Sequence, residues 1–237
     1  MNTLNLEVPG RRTAAWIAIA SLPLAFLTQF FLATASKGNS EFLYQSHSLL
    51  ALPTSDAHAL YWGLWLDPFG FYMIYIPVII YTWKALRHVD ESLADISSAF
   101  GIGYCLLGTF GALTQAGSFE ALHAVYISAE ATEVKDAAAA AWSATAGGQV
   151  RGLWLMEAFF AAVWLLGVSR LLFAIGRSAL GVGAAVLGAC WLAHWVLASA
   201  DVTAVSNLLM AVVVMLGPLW TAWLGVVLLR TRNTSGH

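Results

Sequence analysis

Two carboxylic acids lie inside long apolar stretches of the sequence, where ionisable side chains are rare. Asp67 lies in the run LYWGLWLDPFGFYMIYIP, and Glu157 lies in the run GLWLMEAFFAAVWLLG. A carboxyl group in such surroundings must be protonated, paired or solvated by a cavity, because burying its charge alone is costly. Each acid is therefore a candidate general acid. The alternative for each is a hydrogen bond between packed helices, and Asp67 has the further alternative of capping a helix that restarts at Pro68.

Histidines and further carboxylates lie near the ends of the same apolar stretches. Glu120 and His123 are three residues apart, which places them on one face of a helix. His194 and Asp201 are seven residues apart, or two helical turns. Imidazole with carboxylate suits Zn, Fe, Cu or Mn, and two imidazoles suit haem. These four residues are thus candidate metal ligands, and the simpler alternative is the preference of histidine for the membrane–water boundary.

Four of the eleven tryptophans lie close in sequence to these polar residues. They are Trp65, Trp154, Trp191 and Trp195. Tryptophan concentrates in belts at both membrane surfaces, which is the simpler explanation. The alternative is the aromatic wall of a ligand pocket, in which a few polar groups converge on an apolar cavity.

The composition indicates a membrane protein. Of the 237 residues, 59% are hydrophobic and 10% are charged, and the mean hydropathy is +0.73. Soluble proteins carry roughly 25% charged residues. The net charge is −2 and the basic residues form no stripe, which excludes nucleic acid as a partner. Cys105 and Cys190 lie in apolar runs and form no redox or zinc motif, and the sequence contains no HExxH, GxSxG or P-loop motif.

Six apolar segments reach the length of about 20 residues that a helix needs to cross a bilayer. They cover residues 13–35, 60–86, 96–117, 152–173, 179–198 and 205–230. We therefore predict an all-α polytopic membrane protein, a six-transmembrane-helix bundle that forms a single integral membrane domain over residues 1–237. The first segment is interpreted as a retained helix and not as a signal peptide, because its apolar stretch of about 20 residues exceeds the usual 7–15 of a signal core.

Basic residues mark one side of this bundle. Eight of them flank the ends of the spans on the side of the termini, and three lie in the opposite connections, which predicts that both termini are cytoplasmic and that the chain resides in the inner membrane. The eight are Arg11, Arg12, Lys84, Arg87, Arg170, Arg177, Arg230 and Arg232, and the three are Lys37, Lys135 and Arg151. Asp67, Glu157 and His194 then all lie toward the extracytoplasmic side.

Two outer connections are long. Residues 36–59 are too apolar for a free loop, so we expect them to lie along the membrane surface. Residues 118–150 include five consecutive alanines, and alanine is the best helix former. We therefore expect the third span to continue outward as a helix, or a second short helix to follow, until Gly147 and Gly148 break the chain before the fourth span.

Two patterns concern helix packing. Small residues on one face of the fifth span allow a neighbouring backbone to approach closely. They are Gly181, Ala184, Ala185 and Gly188. Three amides lie within spans and are expected to form hydrogen bonds between helices. They are Gln29, Gln115 and Asn207.

Several of these features together resemble a large group of six-span bacterial membrane proteins of unassigned function. The shared features are the first span led by Arg11 and Arg12, the long outer connection, and the alanine-rich segment before 151–155. The closing span with the run LGPLW at 216–220 belongs to the same pattern. The resemblance implies the six-span architecture and transfers no catalytic residue.

Three hypotheses about function follow. The first is a Trp-lined polar pocket, open to the extracytoplasmic side, that binds a small apolar or planar ligand, a metal ion or haem. Such a protein would sit in the lipid bilayer alone, as a homo-oligomer or as a subunit of a larger membrane complex. The second is an enzyme acting on a lipid or isoprenoid, with Asp67 or Glu157 as general acid, similar in length and aromatic content to small membrane terpene cyclases. The third is a purely structural subunit.

Overall fold

The chain folds into nine α-helices within the residues that the computed structural model describes, 9–39 and 42–230, and this part contains no β-strand. The helices are α1 (Arg11–Ser36), α2 (Ser46–Leu50), α3 (Thr54–Asp67), α4 (Tyr75–Leu86), α5 (Glu91–Ser128), α6 (Thr132–Gly148), α7 (Trp154–Ala174), α8 (Ser178–Ser199) and α9 (Thr203–Arg230). A 3₁₀ turn at Phe42–Tyr44 precedes α2. Arg232, which enters the charge distribution above, lies outside the described residues.

Six helical segments are long and apolar enough to cross a membrane, which confirms the six predicted spans. They are Arg11–Ser36, Thr54–Leu86, Glu91–Ser128, Thr132–Ala174, Ser178–Ser199 and Thr203–Arg230. Each is longer than predicted at one or both ends, because polar residues beyond the apolar stretch continue the helix. The fold is therefore that of a multi-span helical membrane protein.

Two of the six segments contain a π-helical turn. Pro68–Met73 joins α3 to α4, and Gln149–Leu153 joins α6 to α7. Proline lacks the N–H that an α-helix needs and clashes with the preceding turn, so the wider turn accommodates it.

The prediction that Gly147 and Gly148 break the chain is wrong, since α6 runs to Gly148 and continues through the π turn into α7. The capping alternative for Asp67 is wrong as well: its backbone is helical (φ −53°, ψ −47°) and its side chain caps no N–H.

The helices pack as a bundle in which the start of α1 and the end of α9 lie at the same end, which is called the end of the termini below. α7 packs on α5 and α8, whereas α9 packs on α8 and α1, and α1 packs on α3. Gly225 near the end of α9 lies so close to the start of α1 that a Cβ there would be 2.6 Å from the carbonyl oxygen of Ala15. The opposite end, which carries the turns between α1 and α3, between α5 and α6 and between α8 and α9, is called the far end below.

Small residues produce the close contact between α7 and α8, as the sequence predicts. A Cβ on Gly188 would lie 2.9 Å from Leu166 Cγ and 3.1 Å from the Leu166 backbone nitrogen. Ser169 on α7 also donates a hydrogen bond of 2.8 Å to the carbonyl oxygen of Gly181 on α8. A side chain at position 188 would therefore force the two helices apart.

A second apolar core lies at the far end. α5 has 38 residues and is about 57 Å long, so it extends well beyond a hydrocarbon core of about 30 Å. We expected the third span to continue outward as a helix or a second short helix to follow it. Both occur, the first as this extension of α5 and the second as α6. Several apolar side chains of 36–59 are buried against this helix pair, and the position of the segment along the membrane surface stays a prediction. Trp142 on α6, fully buried, donates a hydrogen bond of 2.8 Å to the carbonyl oxygen of Leu43.

A polar cluster closes the turn between α4 and α5 at the end of the termini. Asp90 caps α5 by accepting a hydrogen bond of 3.0 Å from the backbone N–H of Leu93. Trp83 Nε1 donates to Asp95 Oδ1 at 2.6 Å, and Arg87 Nε donates to the same oxygen at 3.0 Å. The hydrogen bond to Asp95 raises the pKa of Arg87 above its ordinary value.

Candidate functional site

A cavity of about 760 Å³ lies between α9 and the helices that face it. Its lining residues on α9 run from Thr203 to Thr221, which corresponds to about 27 Å of helix. The other walls come from α1, the 3₁₀ turn, α3, the first π turn with α4, α5, the second π turn with α7, and α8. The cavity thus extends from the far end deep into the bundle.

Six of the predicted site residues line this one cavity. They are Asp67, Trp154, Glu157, Trp191, His194 and Asp201. Three different helices, α3, α7 and α8, therefore bring the two acids and the histidine to a common space. The remaining four predicted residues, Trp65, Glu120, His123 and Trp195, do not line it.

Glu157 is the most enclosed acid of the cavity. Its side chain is on α7 and only 3% of the residue is exposed. Tyr72 in the first π turn donates a hydrogen bond of 3.3 Å to Glu157 Oε2. Asp67 lies near enough to interact electrostatically with Glu157 and Tyr72. The cavity therefore holds a pair of interacting carboxyl groups, one of which is positioned by a tyrosine.

Several polar side chains of the cavity, among them the indole N–H groups of Trp154 and Trp164, have no hydrogen-bond partner among the residues that the structure describes. Asp67 is half-buried, and its carboxyl group forms no hydrogen bond or ion pair there. Gln115 on α5 is fully buried, and neither its amide nitrogen nor its oxygen is hydrogen-bonded within the same residues. The prediction that Gln115 bonds another helix is therefore wrong. Buried polar groups without partners are uncommon in folded proteins, and in a cavity they mark where a ligand or water would bond.

His194 joins α8 to α9. Its Nδ1 atom lies 3.0 Å from the carbonyl oxygen of Ser206 and 2.9 Å from Ser206 Oγ. The indole of Trp191 meets the imidazole edge to face, with ring centroids 6.0 Å apart. One imidazole nitrogen is thus in contact with Ser206 of α9, and this contact sets the position of the first turn of α9 beside the cavity.

An exposed ion pair lies at the far end of the cavity. Arg151 Nη2 is 3.6 Å from Asp201 Oδ1, and the two side chains are 81% and 78% exposed. Asp201 lies in the turn between α8 and α9 with a positive φ of 56°. The pair is accessible to solvent, so it contributes little to stability and marks the polar mouth of the cavity.

A continuous aromatic wall adjoins Glu157. The ring of Tyr104 lies 5.3 Å from Tyr72, 5.8 Å from Trp164 and 6.2 Å from Trp191, measured between centroids. All four rings line the cavity. The Tyr104 hydroxyl donates a hydrogen bond of 3.1 Å to the carbonyl oxygen of Phe71, which holds the ring in place.

Glycines on α5 receive the rings of this wall. A Cβ on Gly101 would lie 2.9 Å from Trp164, and a Cβ on Gly108 would overlap the ring of Tyr72. Seven residues separate the two glycines, so both lie on one face of α5. The absence of side chains on that face is what brings the aromatic rings against the helix.

The four predicted metal ligands are not assembled into one site. No group of three or more His, Cys, Asp or Glu side chains suited to a metal ion occurs among the described residues. His123 Nδ1 is 3.0 Å from the carbonyl oxygen of Leu50, and its ring stacks on Phe119 at 5.3 Å. Glu120 is exposed. Within the described chain His194 is the one imidazole that lines the cavity, so a haem held by two histidines there has no second ligand.

Two of the four predicted pocket tryptophans pack elsewhere. Trp195 is on α8 and its ring lies 5.1 Å from Phe159 on α7. Trp65 lies 6.1 Å from Tyr61 and packs against the core at the far end. Their proximity in sequence to Asp67 and His194 does not bring them to the cavity, because residues one or two positions apart in a helix point to different faces.

Tyr72, Tyr104 and Gln115 are the site residues that sequence reasoning missed or assigned to packing. Aromatic residues inside an apolar span carry no local signal of a polar site. The sequence signal for these residues is the spacing of Gly101 and Gly108. Small residues at helical spacing indicate a helix face that another group approaches closely.

No protein-family model, curated protein or solved structure matches the chain. The resemblance to six-span bacterial membrane proteins therefore stays a prediction. The fold and the cavity together define a multi-span helical membrane protein with a polar, aromatic-walled internal cavity.

Proposed function

We propose that this membrane protein binds a small apolar ligand, taken from the extracytoplasmic half of the bilayer, in the cavity that Asp67, Glu157 and His194 share. The observation that carries the proposal is the cavity itself: about 760 Å³, walled by aromatic rings and containing a few converging polar groups. Pockets for small molecules have this size and composition. No metal ion or haem forms part of the proposal, because the described residues contain no group of three or more metal-ligating side chains and no second imidazole lines the cavity.

The position of α9 supports entry from the bilayer. Asn207 and Ala211 both line the cavity and are exposed. α9 is about 42 Å long and the hydrocarbon core is about 30 Å thick, so a centred helix extends about 6 Å beyond it at each end. Ala211 lies about 12 Å from Thr203 and hence about 6 Å inside the hydrocarbon. A ligand dissolved in the membrane would meet the cavity at this depth.

The distribution of basic residues supports the extracytoplasmic assignment. Arg11, Arg12, Lys84 and Arg87 lie at the end of the termini, together with Arg170 and Arg177. Basic residues favour the cytoplasmic side. The far end, where the cavity opens beside Arg151 and Asp201, then faces away from the cytoplasm.

Carbene labelling in membranes tests the proposal. A small alkyl diazirine, photolysed in vesicles containing the protein, labels residues that it contacts, and the sites are located by mass spectrometry. We expect label on Met210, which lines the cavity, to saturate with rising reagent and to fall when an unlabelled apolar competitor is added. Label on Leu208, which is 65% exposed and does not line the cavity, should rise linearly and resist competition. Non-saturable labelling of both residues would contradict the proposal.

A second candidate function is catalysis by a carboxyl group on a lipid or isoprenoid. The observation that favours it is the pair of interacting acids, Asp67 and Glu157, beside the aromatic rings of Tyr72 and Tyr104. A general acid next to rings that stabilise a developing cation is suited to such a substrate. Asp67→Asn and Glu157→Gln should each abolish turnover of an isoprenoid substrate while the protein remains folded. Full turnover in both variants would exclude this function.

A further inference from the structure

Acidic side chains outnumber basic ones in the lining of the cavity. Three carboxyl groups line it, those of Asp67, Glu157 and Asp201, and among the described residues the one Lys or Arg that does so is Arg151. Arg151 is already paired with Asp201 at the exposed mouth. Asp67 and Glu157 are thus left, at membrane depth, without a cationic side chain among the described residues. Carboxyl groups at this depth are normally paired, or solvated by a cavity that serves a ligand or ion.

The surroundings of the two acids suit an organic cation. The rings of Tyr72, Tyr104, Trp164 and Trp191 form a contiguous wall, with neighbouring centroids between 5.3 and 6.2 Å apart. Tyr72 belongs both to this wall and to the hydrogen bond with Glu157. Aromatic faces attract ammonium groups, most strongly where water is excluded. The wall and the carboxyl groups therefore act on the same part of a bound molecule.

Gln115 provides an independent indication of a ligand. Its amide is fully buried, lines the same cavity and has no partner within the described chain. An amide in this state forms its hydrogen bonds only when another molecule enters. The cavity therefore presents an acidic pair, an aromatic wall and an unused amide to a common occupant.

From this arrangement we propose that the ligand is a lipophilic organic cation, with a planar or apolar body and a charged nitrogen held between the acids Asp67 and Glu157 and the aromatic wall. The inference rests on the proposed function, because it names the class of ligand for the same cavity. The body of the ligand contacts the rings and the apolar residues of α9, and its charge replaces the missing counter-ion.

Two matched probes test the charge. N-Methylphenanthridinium is a planar cation, and phenanthridine is nearly the same molecule without the charge at mildly alkaline pH. Binding to the purified full-length protein in detergent is measured by calorimetry, with a detergent-only titration as the blank. We expect the cation to bind at least about tenfold more tightly than phenanthridine. Asp67→Asn and Glu157→Gln should each weaken cation binding about tenfold and leave phenanthridine binding within about twofold.

Three controls make the result decisive. Asp136→Asn removes an exposed carboxylate outside the cavity and should leave both affinities unchanged. Asp67→Glu keeps the charge and should keep the preference for the cation. Thermal unfolding, followed by tryptophan fluorescence, identifies any variant that fails to fold.

The outcomes separate this inference from the proposed function. Equal binding of both probes, or unchanged cation binding in folded Asp67→Asn and Glu157→Gln, would overturn the cationic ligand and leave an apolar pocket in place. Failure of both probes to bind would also overturn the cationic ligand. If labelling of Met210 were then non-saturable as well, the proposed function itself would fail.

Discussion

A single added methyl group on α5 should displace Tyr72 and disturb the site. A Cβ at position 108 would overlap three atoms of the Tyr72 ring. Tyr72 is 8% exposed, its ring lies 5.3 Å from that of Tyr104, and the space into which the ring can shift is the cavity that it lines. Its hydrogen bond to Glu157 measures 3.3 Å, close to the limit for such a bond, and any movement away from Glu157 would break it.

The expected cost of Gly108→Ala follows from these two effects. Overpacking a well-filled site costs about 1–3 kcal/mol, and loss of one hydrogen bond costs about 0.5–1.5 kcal/mol. The two costs sum to about 1.5–4.5 kcal/mol and the better helix propensity of alanine offsets about 0.5–1 kcal/mol, so we expect the free energy of unfolding to fall by about 0.5–4 kcal/mol. Gly117→Ala is the matched control, because Gly117 is on the same helix, is exposed, and a Cβ there would meet nothing within 4 Å. It should stabilise the protein by about 0.5–1 kcal/mol through helix propensity.

Equilibrium unfolding in mixed micelles, followed by circular dichroism, measures both variants. Truncation of the displaced ring should relieve the overlap, so Tyr72→Ala introduced together with Gly108→Ala should cost less than the sum of the two single changes. Equal stability of Gly108→Ala and Gly117→Ala, or simple additivity in the double variant, would refute the close packing of Tyr72 on α5.

Three further changes have expected outcomes. Gln115→Leu removes a buried amide without a described partner, so it should raise the free energy of unfolding of the ligand-free protein by about 1–3 kcal/mol, measured in the same micelles. The same change should weaken phenanthridinium binding. A loss of stability would reveal a hydrogen bond that the structure lacks. Gly188→Leu places a side chain against the backbone of Leu166 and should cost about 1–3 kcal/mol or more, and a wild-type unfolding curve would exclude the close contact between α7 and α8. Arg151→Ala should change stability by less than about 0.5 kcal/mol, because its pair with Asp201 is exposed, whereas a larger change would show that the mouth contributes to the fold.

The spans and the two acids could be predicted from the sequence because each has a strong local signal. A run of about 20 apolar residues is required by the thickness of the bilayer. A carboxyl group within such a run is costly, so Asp67 and Glu157 stand out without any knowledge of the fold. Both line the cavity.

The side of each helix that faces the protein interior could not be predicted in the same way. Lipid and protein interior are both apolar, so the hydrophobic pattern of a span does not show which side is buried. This is why Trp65 and Trp195 were grouped with Trp154 and Trp191, although only the last two line the cavity. Tyr72 and Tyr104 were overlooked for the same reason.

The separation of the predicted metal ligands has a related cause. Glu120 and His123 are three residues apart on α5, but α5 extends far beyond the span length, where His123 stacks on Phe119 of the second core and Glu120 is exposed. Their distance from His194 depends on the length of α5, which continues to Ser128 through residues too polar for the span criterion. Sequence spacing within one helix gave no information about contacts between helices.

Reaction of an introduced cysteine tests the central claim, that a cavity open at the far end lies behind α9. Met210→Cys and Leu208→Cys are prepared with the native Cys105 and Cys190 replaced by alanine, and a cationic methanethiosulfonate is applied from the extracytoplasmic side. We predict rapid modification of Cys at 210, slowed by N-methylphenanthridinium, and little modification at 208, which faces away from the cavity. Equal rates at the two positions, unaffected by the phenanthridinium, would contradict the account.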